Sequence, residues 1–435
     1  MSRYLSNLFW LLSDRVFMMV FQLSLFASIK RLYGLEVLGG WATLNNISQL
    51  LLSVFLFGID IVVVKKIIDK PSHAGREIGS AIFLQFLGLL VYALIFLFIT
   101  LTFYKTIPSS LNYALILISA NFLSLFAKFI FFHYSALVES KYRAITILTS
   151  VAISYGFLWI CIYNEFYIFY SYVFFYFVQA LISIYIYINY FPAATKWFVD
   201  ISISKNYFRV GLKLIISTVS VSLFTQCDVI LLEYFSGAEE TGAFSAALRL
   251  SAIWFMLGGL IANAFFPKIV ELEKISQTAS FIFIKWISGI VCAMSIYAAL
   301  ISTVLSGFIM KLLYGNGMEL SAQIFSIHMW SGIFIFLGSF SSKWLFSKEY
   351  INFEVQKTLL AALLNIALNL IVIPKYGAIG AAIVSLFSYF VANLLFFACT
   401  KKTRGIFYVQ AESFKYVFLP WLLIKDYGKV KCQFR

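Results

Sequence analysis

The chain has 435 residues, 62% of them hydrophobic and 12% charged, with a formal net charge of +14. Soluble domains carry about 25% charged residues, so this composition excludes an ordinary soluble fold. The positive charge excludes nucleic acid as the natural partner, because it is sorted by side of a membrane rather than gathered into one patch.

Runs of about 20 apolar residues can cross a bilayer as helices. They fall at residues 8–29, 43–63, 79–103, 111–132, 145–163, 167–190, 212–232, 243–266, 281–305, 323–345, 358–373 and 377–398. None alternates with a period of two, so these are helices and not barrel strands. The sequence thus predicts an all-α polytopic membrane protein with 12 transmembrane helices. The first run is too long for a cleavable signal and lacks a clear small-residue cleavage site, so it reads as the first span.

With the N-terminus inside, the cytoplasmic loops and tail hold 24 Lys and Arg and the outer loops five. Arg15, Lys128, Arg249 and Lys343 lie within spans. This asymmetry predicts that both termini are cytoplasmic. The five cysteines are scattered with no CxxC, and the three histidines are dispersed, so neither a disulfide frame nor a metal site is expected.

The longest interior loop, about 191–211, splits the spans six and six. It predicts an N-terminal six-helix lobe over 1–195, a cytoplasmic linker over 196–211, a C-terminal six-helix lobe over 212–400 and a basic tail over 401–435. Glu36–Trp41 is echoed by Glu239–Phe244 at an offset of 203, and Leu137–Tyr142 by Leu345–Tyr350 at 208. Six spans is an even number, so the lobes are parallel repeats related by a pseudo-two-fold along the membrane normal. Within the tail, residues 406–424 read as an interfacial segment on an anionic leaflet, with a thirteenth span as the alternative.

Residues three, four or seven apart share a helix face. Polar faces occur on span 1 (Arg15 and Gln22, beside Asp14), span 2 (Asn46, Gln49, Ser53 and Asp60) and span 4 (Asn121, Ser124 and Lys128). They recur on span 7 (Thr218, Ser222 and Thr225, flanked by Asp228), span 8 (Ser245, Arg249 and Asn263) and span 10 (His328, Ser331, Ser339 and Ser342). Spans 3, 5, 6, 9 and 12 look much less polar. The small polar residues serve equally well as packing glue or cavity lining. Charges are costlier, roughly 2.5–3.5 kcal/mol for an Arg at a span centre, and mark functional sites by default.

Arg15, Arg249, Lys128, Lys343, Asn46, Gln49 and His328 are therefore candidate substrate-binding residues, and Asp14, Asp60 and Asp228 candidate ion-coupling residues. The plainer alternatives are snorkelling for Lys128 and Lys343, a helix contact for His328, and charge balance for the aspartates. The sequence contains no P-loop, DxD or HExxH, so no catalytic residue, cofactor or metal is expected.

Three stretches carry a family resemblance. They are Asn7–Leu12 continuing through Leu35–Trp41 to Gly58-Ile59-Asp60, then Glu239–Ala247, and finally Asn365–Ala382 with its Pro374-Lys375-Tyr376-Gly377 turn. Over about residues 1–400 the chain resembles the Wzx-type flippases of the multidrug/oligosaccharidyl-lipid/polysaccharide exporter superfamily. The resemblance implies two lobes around a cationic central cavity working by alternating access. It implies transfer of undecaprenyl-pyrophosphate-linked oligosaccharide repeat units, as in O-antigen synthesis, from the cytoplasmic to the periplasmic leaflet of the bacterial inner membrane. Membrane lipids, a polysaccharide polymerase and chain-length proteins are the other partners it implies. Two alternatives stay open at this point. A multidrug or small-molecule exporter also has six plus six spans, and a membrane polymerase would need a long outer loop, which is absent.

Overall fold

In lipid a backbone must satisfy its own hydrogen bonds, so the long apolar runs fold as helices. The computed structural model describes residues 2–105, 107, 109–137, 139–164, 167–190, 197–419 and 421–423. Pro192 and Lys196 of the longest interior loop, and Lys425, Lys429, Lys431 and Arg435 of the tail, lie outside them. The helices are α1 (Ser2–Phe55), α2 (Asp60–Asp69), α3 (Ala74–Phe103), α4 (Ser110–Leu137), α5 (Ser140–Tyr163), α6 (Tyr170–Tyr190) and α7 (Ile201–Ser236). Then follow α8 (Ala238–Ile275), α9 (Gln277–Tyr314), α10 (Glu319–Met329), α11 (Ser331–Ser347), α12 (Ile351–Asn393), α13 (Arg404–Ser413) and α14 (Lys415–Phe418).

Among the described residues, 10 helical runs are long and apolar enough to cross a membrane, with α10 and α11 forming one of them. Two of the 10 are broken by a glycine. Gly34 in α1 has φ 90° and ψ −180°, and Gly377 in α12 has φ 54° and ψ −141°. Such dihedrals are open to glycine and closed to most L-residues. Each break separates two of the apolar runs read from the sequence. Gly237, between α7 and α8, has φ 84° and ψ 178° and follows Gly34 by 203 positions. The offset of the sequence echo is therefore also the offset of a shared backbone conformation.

The chain forms two compact units, residues 1–226 and 227–435, and their boundary falls inside α7. In unit 1, α4 packs on α6, and α1 on α5. Ile78, Phe132, Tyr187 and Tyr207 are buried together in its core. In unit 2, α8 packs on α11, and α9 on α10. Phe283, Phe336, Trp344 and Phe397 fill its core. In lipid these contacts stabilise through packing and hydrogen bonds, since the surroundings are as apolar as the side chains.

One such contact occurs in both units. In unit 1, Asn121 donates to Ser48 Oγ at 3.2 Å, and Tyr92 joins at 2.7 Å. In unit 2, Ser251 Oγ meets His328 Nδ1 at 2.7 Å. Ser48 and Ser251 are 203 apart, and Asn121 and His328 are 207 apart. His328 thus makes a buried helix–helix hydrogen bond.

One expectation needs correction. α5 is not weakly polar, because Thr146, Ser150 and Ser154 form a buried stripe on one face. The described part of the tail is built into unit 2. Ile406, Gln410 and Ser413 are buried, Glu412 pairs with Lys285, and the Tyr416 ring lies where a side chain on Gly289 would sit.

Candidate functional site

Unit 1 gathers the intramembrane charge around two cavities. The first, about 280 Å³, is lined by Asp14, Arg15, Ser124, Lys128, Arg143 and Gln179, with Phe131 and other apolar side chains between them. The second, about 450 Å³, is lined by Gln49, Ser53, Asp60, Lys128, Thr218 and Ser222. Lys128 belongs to both.

The elements place these groups by simple rules. Arg15 follows Asp14 on α1, and the two reach the same cavity. Arg15 is exposed, whereas the Asp14 side chain is fully buried. Arg143, one turn into α5, sits 3.1 Å from the Asp14 carboxylate and over the Phe131 ring at 5.0 Å. A carboxylate buried in a span needs such a partner, because an isolated buried charge is very costly.

Asp60 starts α2 directly after the turn at Phe57 and Gly58. Lys128 Nζ contacts both Asp60 oxygens at 3.0 Å, and Gln85 donates to one of them at 2.8 Å. α7 closes against that turn. Thr218 donates to the Ser53 carbonyl at 3.0 Å, and its methyl lies 2.6 Å from where a Cβ on Gly58 would be. Lys128 is therefore ion-paired, not snorkelling. Gln49 is exposed on its cavity, while Asn46 turns back to the Ala42 carbonyl of its own helix at 2.7 Å.

Unit 2 holds its polar groups differently. Asp228 on α7 is buried and accepts from Asn369 at 2.7 Å and Ser385 at 2.5 Å, on the two arms of α12. Asn365 accepts from Asn369 at 3.2 Å. The asparagines of the third resemblance stretch thus wrap an aspartate from a different helix. The second and third stretches also meet, since Glu240 accepts the Ala378 backbone N–H at 2.8 Å and caps the arm that begins after Gly377. Arg249 is half-buried on α8. Lys343 lies over the Phe266 and Phe346 rings at 5.4 and 5.6 Å, near the Lys357–Glu354 pair.

Of the 10 sequence candidates, the structure joins Asp14, Arg15, Lys128, Asp60 and Gln49 along the paired cavities of unit 1. Arg143 is the residue that sequence reading missed. It lies outside the apolar run, which begins at 145, but its spacing to Thr146 and Ser150 is that of one helix face. No group of three or more His, Cys, Asp or Glu suited to a metal occurs among the described residues.

This architecture is shared with a known class of multi-pass membrane protein. The solved structure of the lipid II flippase MurJ, in an inward closed conformation, superposes with a TM-score of 0.73 at 14% identity, covering 94% of this chain and 91% of that one. The fold is therefore that of the multidrug/oligosaccharidyl-lipid/polysaccharide exporter superfamily. Within it, residues 4–273, more than half of the chain, match the polysaccharide biosynthesis protein family, and the chain belongs to that family. The capsular polysaccharide biosynthesis protein CapF of Staphylococcus aureus is 26% identical over 204 residues, 46% of this chain and 50% of CapF. The probable low-salt glycan biosynthesis flippase Agl15 of Haloferax volcanii is 20% identical over 195 residues, 44% of this chain and 41% of Agl15. These matches span half or less of the two relatives.

Proposed function

We propose that this protein is a flippase that moves polyprenyl-pyrophosphate-linked oligosaccharide repeat units from the cytoplasmic to the periplasmic leaflet by alternating access. The observation that carries this reading is the cavity of unit 1, where Arg15, Arg143 and Lys128 line one space inside apolar helices. A pyrophosphate cannot enter hydrocarbon unpaired. Guanidinium groups meet phosphate oxygens with paired, charge-assisted hydrogen bonds. The polyprenyl chain needs no such help and can stay in lipid. Family membership and the flippase fold of MurJ support the same reading.

The accompanying topology has 12 spans, because the arms on either side of Gly34 and Gly377 each read as one. A straight helix the length of α1 would run about 80 Å, more than twice the hydrocarbon core. Both termini are cytoplasmic, and the spans form two six-helix lobes. Reporter fusions after Lys70 and Lys402 should register cytoplasm, and those near Glu36 and Glu240 periplasm. Arg249 on α8 serves the outer side of the path, and the enclosed Asp228 is the foremost ion-coupling candidate.

Complementation of a flippase-null strain tests the whole reading. Arg15→Ala and Arg249→Ala should each abolish glycan display at normal protein level, and Arg15→Lys should keep part of it. Full export by both Ala variants would overturn the assignment.

A further inference from the structure

Lys128 is held by one carboxylate yet faces two cavities. Its ammonium spends two hydrogen bonds on Asp60, at 3.0 Å to each oxygen. Asp60 lines only the larger cavity, while Lys128 also lines the one that holds Arg15 and Arg143. An ammonium has three donors on a flexible four-carbon stem, so one donor and much rotational freedom remain. The two partners differ in how well each stands alone. Asp60 has Gln85 at 2.8 Å and the N-terminus of α2, where negative charge is favoured. Lys128 has no comparable second anion within its cavities other than Asp14, which Arg143 already holds.

We propose that Asp60 is a parking site that holds Lys128 between transport events and yields it to an anionic phosphate group entering the cavity of Arg15 and Arg143. The inference rests on the flippase reading of that cavity and adds a positioning residue that sets its affinity. A cation cluster without an internal competitor binds phosphate too tightly to release it, and conduction through a series of sites needs weak binding at each. Asp60 supplies the competition, and its own charge stays supported after Lys128 swings away.

The test is binding of inorganic pyrophosphate to the full chain in phosphatidylcholine nanodiscs. Asp60→Asn should tighten binding about tenfold, the low end of coupling for close charge pairs. Asp60→Ser should do the same, which covers the case in which the amide disturbs folding. Asp60→Glu should restore the wild-type affinity. Lys128→Met should weaken binding, and adding Asp60→Asn to it should give no further gain. Damage to structure alone would loosen binding, never tighten it. Unchanged or weaker binding in both Asp60→Asn and Asp60→Ser, with Lys128→Met still weakened, overturns the parking role and leaves the phosphate cavity standing. Binding indifferent to both Lys128→Met and Arg15→Ala overturns the phosphate cavity itself.

Discussion

The two halves of the sequence share their frame and differ in their charge. Gly34 and Gly237 repeat one backbone break, and Ser48–Asn121 and Ser251–His328 repeat one interhelical contact. The charged groups within the spans do not repeat. The positions 203 after Arg15 and Asp60 hold Thr218 and Asn263, and that 203 before Asp228 holds Leu25. The position 207 after Lys128 is Ile335. Helix breaks and serine contacts are therefore properties of the repeated scaffold. Among the described residues, unit 1 carries an open cationic cavity, whereas unit 2 carries an enclosed, amide-wrapped aspartate along with the separate cations Arg249 and Lys343. In the proposed flippase, that asymmetry would give loading and release different chemical settings.

The largest effect should come from breaking the buried pair of unit 1. Arg143→Leu leaves the fully buried Asp14 carboxylate without its partner and should cost about 3–5 kcal/mol of stability. The double variant Asp14→Leu, Arg143→Leu should recover most of it. Thermal unfolding in detergent reads both, and a double variant as unstable as the single one would show that the pair does more than balance charge. The three glycine breaks sharpen the comparison next. Gly34→Ala and Gly237→Ala should each cost about 1–3 kcal/mol from backbone strain alone, since nothing lies within 4 Å of either added Cβ. Gly377→Ala should cost more, because Glu240 Oε2 would lie 2.2 Å from the new carbon. Unequal losses at Gly34 and Gly237 would break the equivalence of the two positions.

Much of this frame was legible before any coordinates. Apolar runs located the helices, and the echo of Glu36–Trp41 by Glu239–Phe244 gave the offset that the two glycine breaks obey. Single charges were legible too, because a charge inside an apolar run stands out. Their partners were not. Lys128 and Asp60 are 68 positions apart, and Asp228 lies 141 from Asn369. Periodicity assigns a residue to a face of its own helix, while which faces meet is decided by packing. Arg143 was hidden for a different reason: α5 begins at Ser140, before its apolar stretch. The α5 stripe was hidden because serine and threonine hardly interrupt an apolar run.

The repeated serine contact offers a smaller and more exacting test. Ser48→Ala removes two buried interhelical hydrogen bonds, to Tyr92 and Asn121, and Ser251→Ala removes one, to His328. The losses should be about 1–2 kcal/mol at Ser48 and about 1 kcal/mol at Ser251. His328→Asn would put the unit 1 side chain into the unit 2 contact and should be tolerated, since Asn121 makes the same bond to Ser48. Loss of glycan export in His328→Asn at normal protein level would show that the imidazole does more than pack, and would distinguish the two units at an equivalent polar contact.

The smallest effect concerns acid. Asp200, just before α7, accepts from the Ser202 hydroxyl at 2.6 Å and backbone N–H at 2.8 Å and from the Ile203 N–H at 3.2 Å, and it pairs with Arg76. Those bonds, Ser202 first and Arg76 next, hold its carboxyl below the usual carboxylate range. In unit 2, Glu412 is likewise lowered, chiefly by the hydrogen bond from Lys285. A depressed acid stabilises the fold at pH above its unfolded value, near 4 for a carboxylate. That contribution is lost as pH falls through the lower folded value. The apparent unfolding temperature should thus decline below about pH 4 in the wild type. Asp200→Asn should flatten the decline, and Glu412→Gln should flatten it less, because one lysine replaces a capped helix end and an arginine. Both effects should be modest, since exposed pairs contribute little. A steeper acid decline in Asp200→Asn would reverse the sign and assign the acid sensitivity to groups elsewhere in the chain.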